Sequence, residues 1–112
     1  MILLFKNPVF KSDINVTVRR GIKWSEAVAS GELKFPIMDT YDPDKKIIGY
    51  AKDIKVVVKR FFELAELDVK DEHDEDCRTV QGLYMEMKKV YGNDFDNTEL
   101  VTIMQFTFEP IV

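Results

Sequence analysis

Apolar and polar residues alternate most clearly at residues 15–19, where Val16 and Val18 share one face and Asn15, Thr17 and Arg19 the other. This period of two marks a strand with one side for a core and one side of hydrogen-bonding groups, suited to floor a cleft. The same period is longest over residues 48–59: Ile48, Tyr50, Ile54, Val56 and Val58 fall together, and Lys52 is the one break. A strand of that length bends, and Gly49 and Ala51 permit close packing at the bend. Residues 99–108 are apolar on both faces, with Leu100, Met104, Phe106 and Phe108 opposite Val101 and Ile103, which predicts an interior strand. Shorter strands are expected at residues 2–5 and 33–38, the second near a sheet edge because Pro36 has no N–H for a ladder.

The period changes to that of a helix between Thr79, a capping residue, and Gly92, a stop. Val80, Leu83, Tyr84, Met87, Val90 and Tyr91 form one apolar stripe there. Residues 24–30 read as a short helix capped by Ser25 and ended by Gly31. Asn7 as cap and Pro8 in the first position predict one or two helical turns over residues 8–13, with Val9, Phe10 and Ile14 facing inward. Phe61, Leu64 and Leu67 at spacing three predict another turn of helix. Residues 39–46 are a turn, 68–76 an acidic loop that is mobile or partly helical, and 93–98 a loop. With neither repeat nor linker, residues 1–112 are expected to form a single α+β domain around a curved sheet.

Composition narrows the class. Apolar residues make up 46% and charged residues 32% of the 112, the balance of a soluble globular protein and not of a disordered one. The apolar start is too short for a signal peptide's core and no run approaches the ~18 apolar residues of a membrane span. A cytoplasmic protein without a membrane partner is expected, and the lone Cys77 agrees with a reducing compartment. Charge is divided unevenly: residues 1–60 hold twelve Lys and Arg against seven Asp and Glu, and residues 61–112 hold four against thirteen. The net charge of -4 argues against indiscriminate nucleic-acid binding, while the first half retains a local basic face.

The candidate chemistry gathers in that half. Thr17 and Arg19 on the strand, Arg20 and Lys23 just beyond it and Trp24 after them combine a hydroxyl, cations and an aromatic surface, which suits a planar anionic ligand such as a nucleotide or RNA. Trp24 reads equally as a core residue flanked by surface cations. His73 and Cys77 lie four apart among carboxylates, yet zinc requires three or four definite ligands, so neither metal nor cofactor is expected. Glu72 or Glu75, folded over a cleft, would serve as general acid or base, with Thr17 or Lys23 as its catalytic partner.

The order of these pieces resembles a family. The Thr17-Val18-Arg19 strand, the long strand opening with Gly49 and Ala51, the Phe61 to Leu64 turn, the helix from Leu83 to Tyr91 and the closing strand from Val101 to Phe106 are similar to those of ASCH domains, of the PUA-like superfamily. The resemblance covers nearly the whole chain. It implies a small curved β-barrel of five or six strands with short flanking helices, and a cleft beside the T-x-R strand. In the family's G-x-K-x-x-T-x-R signature, Thr17 and Arg19 match, but Ile14 stands at the lysine and Ser12 at the glycine. ASCH proteins that hydrolyse the acetyl amide of acetylated cytidine use that lysine with the threonine and a downstream glutamate. The resemblance therefore implies an RNA- or nucleotide-binding module first. A small amidohydrolase or ribonuclease with a loop glutamate is the second expectation, and a protein-interaction domain using the acidic half the third.

Overall fold

The computed structural model describes residues 1–111. Its spine is the antiparallel pair β4 (Ile47–Arg60) and β5 (Leu100–Pro110). On the far side of β5 lies β2 (Asn15–Arg20), antiparallel; on the first part of β4 lies β3 (Phe35–Asp39), also antiparallel, followed by β1 (Leu3–Phe5) running parallel to β3. The order β1-β3-β4-β5-β2 leaves β1 and β2 as the two ends of a five-stranded sheet curled into a half-barrel. Three short helices complete a mixed α+β fold: α1 (Lys23–Ala29), α2 (Glu66–Val69) and α3 (Val80–Tyr91). Among the described residues, no helix is long and apolar enough to cross a membrane.

The curl has a local cause. Register slips between Lys52 and Lys55, where Asp53 adopts a φ of 53°, so a bulge occupies the place at which the alternation breaks. A bulge adds twist and bends the longer strand. Just before it, Gly49 passes so close to β5 that an added Cβ would lie 2.5 Å from the Glu109 carbonyl oxygen.

Both faces of β5 are apolar because each meets its own core. Met104 and Phe106 join Leu3, Phe5, Phe35 and Trp24 on one side, while Val101 and Ile103 join Val18, Phe61, Leu83 and Phe95 on the other. Burying Met104 and Phe106 completely contributes roughly 1.5–3 kcal/mol per side chain. Helix α3 lies against the second core through Leu83 and Met87. Thr79 Oγ1 caps it by accepting from Gly82 N at 3.0 Å, and Gly92, at φ 73°, ends it.

Four expectations are corrected. Residues 8–13 are not helical: the buried Asn15 side chain accepts from Lys11 N at 2.8 Å and donates to Lys11 O at 3.0 Å, holding a loop that seats Phe10 against Phe108. Strand β3 is interior, between β1 and β4; because β1 pairs only from Ile37 onward, Pro36 owes it no donor. Helix α1 starts before Ser25, with Glu26 N bonded to Ile22 O and no side-chain cap. Leu67 is exposed, since the chain breaks into the 3₁₀ turn Phe61–Glu63 and then α2, and Val90 is exposed at the cavity instead of packed in the core, so the buried stripe on α3 is narrower than its sequence pattern.

Candidate functional site

The site lies between the two sheet ends. Residues 71–73 run along the free edge of β2 as a one-residue bridge, with Val16 N donating to Asp71 O at 2.9 Å and His73 N donating to Val16 O at 3.0 Å. This backbone pairing carries Glu72 and His73 beneath the edge, where both are buried. Thr17 and Arg19 from β2, Leu4 and Phe5 from β1, and Met87 and Tyr91 from α3 surround the same space, a cavity of about 280 Å³. That volume is near the lower end for small-molecule sites.

Arg19 organises the wall. Its Nε donates to Thr17 Oγ1 at 3.2 Å, its Nη1 donates to Leu4 O at 2.8 Å, and its guanidinium lies 4.5 Å over the Phe5 ring. Burial lowers its pKa from the ordinary arginine value, opposed by Tyr91 and Glu72, and the group stays charged. Burial pushes the Glu72 carboxyl up to about 8, against the Asp74 N–H that donates to its Oε1 and the nearby Arg19. Burial, then the Arg19 charge, pushes His73 down to about 4. At neutral pH the pair, with Glu72 Oε1 3.1 Å from His73 Nε2, is thus a carboxylic acid beside a neutral imidazole. A neutral acid in a sealed wall both donates and accepts a hydrogen bond, and it ionises within reach of physiological pH.

A second hollow of about 390 Å³ adjoins the first, sharing Leu4, Arg19 and Tyr91. Arg20, Lys23 and Trp24 complete its polar and aromatic lining, and none of its lining residues is acidic. Arg20 Nη2 pairs with Glu99 Oε1 at 2.7 Å and its guanidinium lies over Tyr91 at 5.3 Å, whereas Lys23 makes no ion pair among the described residues.

The expected site residues therefore separate. Thr17, Arg19 and Glu72 converge on the cavity; Arg20 and Lys23 stand at the adjoining hollow. Trp24 is not a free stacking surface: only 4% exposed, it packs edge-on against Phe35 at 5.2 Å and contributes only a small part of its surface to the hollow. Glu75 faces solvent from the 3₁₀ turn Glu75–Cys77, outside the cavity, and Ile14 is likewise exposed outside it. Cys77 lines the cavity as a packed thiol that burial pushes up to about 12, too high for a nucleophile. No group of three or more His, Cys, Asp or Glu side chains among the described residues is placed to hold a metal ion. Sequence reasoning missed Tyr91 as a site residue, because it sits in a helix stripe that carries no local sign of the cleft; the sequence singles out His73 beside Glu72 for a metal or acid-base role, and the structure places it with Glu72 in the cavity wall.

Comparison of the chain with protein-family models, with curated proteins and with solved structures gives no match.

Proposed function

We propose that this protein is a binding module of the ASCH type, PUA-like and cytoplasmic, that holds RNA or a nucleotide in the cleft beside Thr17 and Arg19. The observation that carries the reading is the junction at Arg19 of two spaces, one walled by Thr17, Glu72 and His73 and one lined by cations without acids. A base is flat and offers hydrogen-bonding edges, which the uncharged Glu72 carboxyl and the aromatic wall of Phe5 and Tyr91 complement; the cations answer phosphate. Titration with short RNAs and mononucleotides tests it. Arg19→Ala is expected to weaken affinity about tenfold or more, as loss of a charge-assisted contact does. Unchanged affinity after both Arg19→Ala and Lys23→Ala removes the proposal.

A second reading is favoured by the buried Glu72, whose pKa of about 8 suits a general base on water. In an amidohydrolase, ionised Glu72 takes a proton from water as the oxygen attacks the amide carbonyl. It returns that proton to the leaving nitrogen as the C–N bond breaks. With isoleucine at the position of the family's lysine, Glu72 carries that work without it. Incubation with acetylated cytidine and with single-stranded RNA, followed by chromatography, decides the matter: turnover lost in Glu72→Gln supports it, and no turnover by the natural chain rejects it.

A further inference from the structure

We infer that the hollow between Arg19, Arg20 and Lys23 is a seat for a terminal phosphate monoester, so that the ligand is a single nucleotide or a phosphorylated strand end and not the interior of a strand. The inference rests on the nucleotide reading above and adds the chemical class of the ligand. Three cations meet there, and among the described residues the one carboxylate bound to any of them is that of Glu99 on Arg20, which leaves an excess of two positive charges. A phosphate monoester carries about -1.5 to -2 at neutral pH, whereas a diester in a chain carries -1. The monoester matches the excess; the diester leaves it half unmet.

Geometry agrees with charge. Arg19 spends Nε on Thr17 and one Nη1 hydrogen on Leu4, so its Nη2 hydrogens remain free for a ligand oxygen among the described residues. Lys23 brings an ammonium 5.5 Å over the Trp24 ring, uncommitted to any carboxylate among the described residues. Arg19 is held by Thr17 and Leu4 and Arg20 by Glu99, so two of the three cations are set in place before the ligand arrives. The cavity of about 280 Å³ next door has room on the scale of one small molecule, and Arg19 is the charged side chain that lines both spaces, beside Leu4 and Tyr91.

The test is calorimetric titration of the full chain with the four common ribonucleosides, their 5′-monophosphates, the methyl esters of those monophosphates, and inorganic phosphate. At least one monophosphate is expected to bind about tenfold or more tightly than its nucleoside, its methyl ester and inorganic phosphate, the gain of one or two charge-assisted contacts. Lys23→Glu, at an exposed position, is expected to shrink that preference to about one. Equal binding of a nucleoside and its monophosphate overturns the phosphate seat while sparing the nucleotide reading. A methyl ester as tight as the free monoester overturns the terminal-phosphate assignment. Inorganic phosphate as tight as every nucleotide detaches the seat from the cavity and overturns the inference too. No binding of any probe overturns both the inference and the reading beneath it.

Discussion

Arg19 Nη1 donates to the backbone carbonyl of Leu4 at 2.8 Å, joining the two free ends of the half-barrel, β1 and β2, across the mouth of the cavity. A planar guanidinium makes this bond and the bond to Thr17 together, and a lysine ammonium on a flexible stem does not hold both in one geometry. Arg19→Lys is therefore expected to lower stability by about 1–3 kcal/mol. Urea denaturation measures it, and an unchanged midpoint would show that the sheet ends need no tie.

The Glu72 and His73 pair predicts a pH profile. His73, at about 4 folded against about 6.5 unfolded, makes the unfolded chain bind more protons between those values, so its contribution rises with pH there. Glu72, at about 8 folded against 4.5, does the reverse: its contribution is full below the ordinary carboxyl pKa and is lost as pH rises to about 8. The two oppose each other over most of the acid range, and from about pH 6.5 to 8 Glu72 acts alone. Stability should fall by about 1–2 kcal/mol across that last window. Glu72→Gln should flatten the fall, read from melting temperatures in buffers spanning pH 5 to 9.

Trp24 tests the correction to its role. Removing an indole packed edge-on against Phe35 leaves a void in the core, and Trp24→Ala is expected to cost about 3–5 kcal/mol. A surface stacking residue would lose binding and keep its denaturation midpoint; the core residue loses the midpoint.

Gly49 marks how tightly β4 crosses β5. A methyl group there meets the Glu109 carbonyl at 2.5 Å and the Phe108 ring at 2.6 Å, backbone and a packed aromatic that have little room to move. Gly49→Ala is expected to destabilise by about 1–3 kcal/mol, and circular-dichroism melts of the variant check it.

Much of the architecture was legible from local pattern. The two-residue period placed β2, β4 and β5, the break at Lys52 lies at the bulge, and Thr79 and Gly92 bracket α3 as their chemistry predicts. Periodicity reports which faces meet a core and capping reports where a helix stops, so both are written in neighbouring residues. The failures have separate causes: Pro36 sits in an interior strand because β1, distant in sequence, pairs only beyond it, and residues 8–13 stay a loop because the Asn15 side chain takes both backbone groups of Lys11 while Phe10 stacks on the distant Phe108.

The sequence by itself determined the alternating strand that holds Thr17 and Arg19, the cations that follow it and the acidic run that holds Glu72. Only the tertiary structure decided that Glu72 and His73 are buried against β2, that Glu75 is not, and that Trp24 belongs to the core. The physical reason is that a side chain's burial is set by which strand edge its backbone joins. The bonds that bring residues 71–73 to Val16 span more than fifty positions, a distance over which no local pattern carries information.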